Sequence, residues 1–278
     1  MISRRSPAKV NLLLRVLGRR HDGYHDIVSL MQRISLCDDM DFRLTDGGIA
    51  LSCPGSTLPE DGNNIVYQAV AALRSRASRM QGVQITIRKH IPIAAGLGGG
   101  SSNAATALVT LNDMMALGYS TGELMEIGAT IGADVPFFIF ARTAWASGIG
   151  DHLVEAPDIP PLWFVLVNPG FPLSTEDIYE GLKLGLTKER IKYNIQRFQS
   201  VPQIVGALSN DLERVSLNIY PVLSRIKDLL IACGALGSLM SGSGPTVFGI
   251  FRGREDAEGA AREIGKSDVG SVYLAHSI

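Results

Sequence analysis

Apolar and polar residues alternate with period two over residues 83–88, Val-Gln-Ile-Thr-Ile-Arg, which is the spacing of a half-buried strand. Beyond a glycine-rich stretch, Ala104, Ala105, Leu108, Leu111 and Met115 recur at helical spacing until Gly118 stops the run. The same two periods sort the rest of the first half. Dense β-prone runs over 6–17 and 24–36 flank Asp22-Gly23, a hairpin signal. A second hairpin is predicted over 41–52, with Asp46-Gly47-Gly48 as its turn. Asn63 or Asn64 caps a helix carrying Ile65, Val66, Ala69, Val70 and Leu73. Ser120-Thr121-Gly122-Glu123 is a capping box that opens a short helix ending near Gly132. Asp134-Val135-Pro136 follows directly and leads into the apolar run Phe137-Phe138-Ile139-Phe140, and Pro136 is expected to keep the chain before it extended.

In the second half, the proline-rich residues 157–161 read as a linker, which predicts domains over 1–157 and 158–278. A buried strand is expected over 162–167, helices over 176–184 and 190–198, and an amphipathic helix over 221–233. That last helix turns Leu223, Ile226, Leu229, Leu230 and Cys233 inward. Two β-prone runs flank the turn Ser241-Gly242-Ser243-Gly244-Pro245, with a helix over 255–264 and a last strand over 271–275. Strands and helices interleave without strict βαβ regularity, so the fold class is α+β.

Composition narrows the function. A chain of 278 residues holds one large or two ordinary domains. With 46% apolar residues and a net charge of −1 it has no basic excess for nucleic acid and no acidic tail. Cys37, Cys53 and Cys233 are scattered and odd in number, which argues against a disulfide framework or a zinc site and for a reducing compartment. The basic-then-apolar start imitates a signal peptide, yet Lys9, Asn11 and Arg15 interrupt it, and no apolar run reaches bilayer length. The expectation is a cytoplasmic protein with neither membrane nor nucleic-acid partners. No feature selects an oligomeric state.

The chemistry gathers in the stretch between the strand and the helix. Pro92, Ile93, Ala94, Ala95, Gly96, Leu97, Gly98, Gly99, Gly100, Ser101 and Ser102 form a glycine loop that enters a helix N-terminus. Backbone N–H groups and a helix N-terminus aimed at one spot hold anions, phosphate above all. A Walker A loop would carry a lysine where Ser101 stands, and the dinucleotide fingerprint fails on register, which tells against a nicotinamide oxidoreductase. Lys9 and Asn11, two apart, share one face of a strand, and Asp134 sits at the mouth of an apolar run. Charged and polar groups so placed need partners or a task.

The blocks SPAKVNLLL at Ser6, PIAAGLGGGSSNAATAL at Pro92 and SGSGPTVF at Ser241 resemble, in order and spacing, the three motifs of the GHMP small-molecule kinases. That resemblance implies a two-domain kinase whose N-terminal mixed α/β domain carries the phosphate loop and whose C-terminal domain is a ferredoxin-like α/β sandwich. It implies ATP held by the glycine loop, Mg2+ carried with the nucleotide, and Lys9 and Asp134 as the catalytic pair. Asp134 would accept the proton of an alcohol, while Lys9 would keep Asp134 ionised and offset charge on the transferred group. Asn63 and Lys89 are adenine-side candidates, and the Ser102 hydroxyl is a candidate toward the metal. The further blocks GRRHDGYHDI, GADVPFF, SGIGDHL and SNDLE are similar to a branch whose acceptor is a cytidine-diphospho sugar alcohol. On that branch Asn11, Tyr24, His25 and Tyr179 face the acceptor, the rings closing on the base, with Met31 where some relatives carry Phe. A kinase of the homoserine or mevalonate type is the nearest alternative, and it has no use for a base-reading Tyr-His pair. A nucleotide sensor without catalysis is another, disfavoured because Lys9 and Asp134 are both present.

Overall fold

The computed structural model describes residues 1–77, 79–157, 159–182 and 196–278. Its first half runs β1 (Ile2–Arg19), β2 (His25–Thr45), β3 (Ile49–Ser52), α1 (Ile65–Arg76), β4 (Gly82–Arg88), α2 (Gly99–Met114), α3 (Thr121–Ala129) and α4 (Val135–Phe140). The second runs β5 (Ala144–Gly148), β6 (His152–Glu155), β7 (Trp163–Asn168), α5 (Thr175–Glu180), α6 (Val201–Ala207), β8 (Ser209–Asn210), α7 (Glu213–Ile219) and α8 (Val222–Ala232). It closes with β9 (Gly237–Met240), β10 (Val247–Phe251), α9 (Arg254–Ile264) and β11 (Ser271–His276). Among the described residues no helix is long and apolar enough to cross a membrane.

These elements form two compact units, one of Met1–Ala8, Cys37–Ile91 and Gly98–Ala141, the other of Lys9–Leu36, Pro92–Leu97 and Arg142–Ile278. In the first unit β4 lies between β2 and β3, antiparallel to β2 from Asp39↔Arg88 to Thr45↔Gly82 and parallel to β3 from Ile49↔Val83. The hairpin expected over 41–52 therefore does not form. The chain does turn at Gly47-Gly48, but β4 enters between the two arms, and the Val83 N–H donates to the Gly48 carbonyl. Gly82 makes this possible, because a Cβ there would lie 2.0 Å from the Gly47 oxygen. Helix α1 is capped by Asn64, whose side chain accepts from the Val66 N–H at 2.9 Å. The predicted capping box of α3 is present on Ser120 and Glu123.

Pro136 does not extend the chain. Asp134 has helical torsions (φ −84°, ψ −11°) and Pro136 lies in the first turn of α4, where its missing N–H is one that would lack an intrahelical acceptor anyway. The apolar run 137–140 is thus helical, and α4 packs on α2 and α3.

In the second unit, β5 pairs antiparallel with β2 from Ile27↔Gly148, and β8 pairs parallel with β1 through Leu13↔Ser209 and Leu14↔Asn210. Strand β6 pairs with β5, and β11-β7-β10-β9 form a separate four-stranded antiparallel sheet, with α8 and α9 packed on it as in an α/β sandwich. Its core joins Val165 and Val167 to Leu223, Ile226 and Leu230 of α8 and Ala257, Ala260 and Ile264 of α9. Helix α5 ends at Glu180, short of the 176–184 expected, and residues 183–184 lie outside the described residues, as do 190–195 of the helix expected over 190–198. Residues 196–198 carry no helix.

Candidate active site

In the second unit the parts of the three motifs over 9–14, 92–97 and 241–248 converge. Strand β1 presents Lys9 and Asn11 on one face, and both side chains are buried. Lys9 Nζ donates to Asn11 Oδ1 at 2.6 Å, Asn11 Nδ2 donates to Ser29 Oγ at 2.8 Å, and Ser29 Oγ donates to the Leu13 carbonyl at 2.7 Å. The Lys9 N–H also reaches the Leu97 carbonyl, at 3.0 Å, and so fixes the first half of the glycine loop to β1.

The turn after β9 holds that half from another side. Ser241 Oγ donates to the Gly96 carbonyl at 2.9 Å, and the Thr246 N–H points at the Ala95 carbonyl at 3.4 Å. Gly96 has φ +74°, and a Cβ on it would stand 2.1 Å from the Ser241 oxygen, so only glycine lets the two turns meet. Asn210, from the SNDLE block, donates to the carbonyls of Met240 (2.8 Å) and Gly242 (2.7 Å) and pins the turn in place.

The base-side candidates lie in this unit as well. The rings of His25 and Tyr179 have centroids 4.8 Å apart at 31°. Tyr24 is exposed, at 59%, with its N–H on Asp22. Burial, and then the Arg19 charge, push His25 below its ordinary value. Its ring is therefore neutral near pH 7, with one donor and one acceptor nitrogen.

In the first unit Gly98 (φ +68°) is the left-handed residue at the start of α2, and the exposed N–H groups of the first turn follow from Gly99. Ser102 is fully buried, and its hydroxyl accepts from Ser6 Oγ at 2.8 Å. Lys89 Nζ is paired with Asp38 and also donates to Asn103 Oδ1 at 3.1 Å. A Cβ on Gly99 would be 3.2 Å from that Nζ, which places the ammonium beside the helix start. Asn63 is exposed and its N–H donates to Asp61, whereas its neighbour Asn64 does the capping. Asp134 precedes α4, partly buried, with its side chain outside the cap. Gly132, two residues earlier, lies against Ser101 of the loop, since a Cβ there would be 3.8 Å from the Ser101 hydroxyl.

Sequence reasoning missed Asp38. Its fully buried carboxylate accepts from the N–H groups of His90 (2.8 Å) and Ile91 (2.9 Å), from Asn103 Nδ2 (2.9 Å) and from Lys89. Asn103 Nδ2 also reaches Ser6 Oγ at 2.9 Å. The one available signal was an acidic residue inside a β-prone run, where burial demands partners. Ser29 was missed because it acts through a single hydroxyl, and Ser241, read as the start of the third motif, was given no role of its own.

The GHMP kinases N terminal domain model matches residues 64–142 and the GHMP kinases C terminal model residues 191–269. A 4-diphosphocytidyl-2-C-methyl-D-erythritol kinase from Syntrophus aciditrophicus is 56% identical over 98% of both chains, and one from Geobacter metallireducens is 49% identical over 95% of this chain and 94% of its own. A crystal structure of 4-(cytidine 5'-diphospho)-2C-methyl-D-erythritol kinase superposes with a TM-score of 0.82 at 32% identity, covering 99% of each chain. A homoserine kinase from Cytophaga hutchinsonii shares the fold at TM-score 0.72 and 18% identity, over 99% of this chain and 94% of its own. With that identity sustained from end to end, the chain belongs to the 4-diphosphocytidyl-2-C-methyl-D-erythritol kinase family of the GHMP kinases.

Proposed function

We propose that this protein transfers the γ-phosphoryl group of ATP to the 2-hydroxyl of 4-diphosphocytidyl-2-C-methyl-D-erythritol, in the cytoplasmic non-mevalonate route to isoprenoids. The observation that carries the reading is 56% identity to a kinase of that name across 98% of both chains. The pairing of the His25 and Tyr179 rings supports a cytosine-bearing acceptor, because neither homoserine nor mevalonate offers a base to stack or read. The expected boundary at 157/158 falls between the two matched family domains and is proposed as the join between them.

Phosphoryl transfer asks for positioning and charge neutralisation more than for covalent chemistry. Residues 92–102 bind the triphosphate through main-chain N–H groups and the start of α2, with Asn63 and Lys89 on the adenine side. Asp134 orients the acceptor hydroxyl and takes its proton, and Lys9 supplies the positive charge that keeps Asp134 ionised and meets charge developing on the transferred group. Asn11, Tyr24, His25 and Tyr179 hold the acceptor. Magnesium bound with ATP would neutralise phosphate charge, and it takes most of its ligands from phosphates and water. Among the described residues no three His, Cys, Asp or Glu side chains gather as a cage, and the Ser102 hydroxyl accepts from Ser6.

The test is a transfer assay with ATP against 4-diphosphocytidyl-2-C-methyl-D-erythritol, homoserine and mevalonate in parallel. Turnover is expected with the first alone, and turnover with either of the others in its place would overturn the assignment. Asp134→Asn should abolish transfer and leave ATP affinity near normal. Wild-type turnover in that variant would remove Asp134 from the chemistry.

A further inference from the structure

We infer that Ser29 is a positioning residue for Lys9, acting through the side-chain amide of Asn11; this rests on the proposed role of Lys9 in transfer. The inference comes from the direction of three hydrogen bonds. The Leu13 carbonyl can only accept, so the Ser29 hydroxyl proton, 2.7 Å away, is committed to it. Ser29 Oγ is then left to accept, and it takes the Asn11 Nδ2 group at 2.8 Å. With its nitrogen so held, Asn11 must turn its oxygen the other way, and that oxygen meets Lys9 Nζ at 2.6 Å. An ammonium can only donate, so the far end of the relay demands the same orientation.

The reversed amide would set an NH2 against an NH3+ and would oblige the Ser29 proton to leave Leu13. A Cβ on Gly242 would come within 3.5 Å of Asn11 Oδ1, so the turn of the third motif already closes on that amide. Ser29 is fully buried. One carbonyl on β1 therefore bears, through two side chains, on where the Lys9 charge stands. Because Asn11 is neutral, the relay fixes the cation without cancelling its charge.

Ser29→Ala should lower kcat by about 10- to 100-fold, the range of one buried hydrogen bond, with the KM for ATP within about twofold of wild type. Ser29→Thr keeps a hydroxyl at the same position and should restore most of the rate. In an Asn11→Ala background, Ser29→Ala should cost nothing further, since the relay is already cut. Multiplying losses in the double variant, or a folded Ser29→Ala protein with wild-type kcat, would overturn the inference. A readout without turnover separates this from the kinase reading. The Asn11 side-chain amide protons, followed by 1H–15N NMR, should exchange with solvent faster in Ser29→Ala than in wild type, whatever acceptor the protein uses. Unchanged exchange would sink the relay even in an active kinase. Faster exchange in a protein inactive toward all three acceptors would keep the relay and reject the substrate.

Discussion

Lys9 belongs to the second unit and Lys89 to the first, and their surroundings differ in kind. Lys89 is paired with Asp38, a carboxylate already filled by two backbone N–H groups and an amide. Lys9 leans on the amide of Asn11, which is oriented by Ser29. A carboxylate holds a cation and cancels it; an amide holds a cation and leaves its field intact. The first arrangement suits a frame, tying Ser6, Asp38, Lys89 and the start of α2 into one block. The second contact, made through a neutral amide, suits a charge that acts on the group being transferred.

The sharpest way to break this comparison is to remove each ammonium in turn. Lys89→Met leaves Asp38 buried without its cation and should cost about 3–5 kcal/mol in chemical denaturation. Lys9→Met should instead lower kcat by about 10²- to 10³-fold with a far smaller loss of stability. If Lys9→Met were the variant that unfolds, and Lys89→Met kept wild-type stability, the roles would be reversed.

Next in size is Gly96→Ala. A positive φ costs a side chain about 1–2 kcal/mol, and the 2.1 Å approach to the Ser241 oxygen adds to that, so both melting temperature and turnover should fall. Gly100→Ala is the control. Gly100 lies in the first turn of α2, exposed, and a Cβ there meets only Ile65 at 3.5 Å. Its fold should be kept or slightly stabilised, by up to about 1 kcal/mol. A drop in nucleotide affinity in that stable variant would show that the bare backbone at Gly100 serves the ligand and not the fold.

A smaller contrast tests the adenine side. Asn64→Ala removes the α1 cap and should cost about 1 kcal/mol, whereas Asn63→Ala, on an exposed neighbour, should leave the denaturation midpoint unchanged. Weaker ATP binding in Asn63→Ala alone would assign that residue to the nucleotide.

The glycine loop, the helix it opens and the three motif blocks could all be read from the chain, because each is a local pattern: period two, then glycines, then helical spacing. Pairings that depend on distant segments could not. The turn at Gly47-Gly48 looks like a hairpin turn, and nothing near it announces that β4 will enter between its arms. Pro136 was misread because proline disfavours helix before it in isolation, yet the first turn of a helix accepts it. Asp38 is harder still. Its four donors come from residues 89, 90, 91 and 103, and two of them are backbone groups that leave no mark on residue type.

The smallest effect concerns His25, which shares the second unit with Lys9 but should be uncharged where Lys9 is charged. Burial, then Arg19, lower its pKa from the ordinary 6.5. The unfolded chain therefore binds the proton more readily than the folded one. The stability that follows is fully present above pH 6.5 and is lost as pH falls through the lower folded value. The ring is partly exposed, so the slope is shallow. Its signature is an imidazole titration by NMR with a midpoint below 6.5, and a stability-against-pH curve that flattens in that window in His25→Asn. A midpoint at or above 6.5 would mean a ring charged through the mildly acidic range. It would then donate from both nitrogens and could not read the mixed donor-acceptor edge of a cytosine.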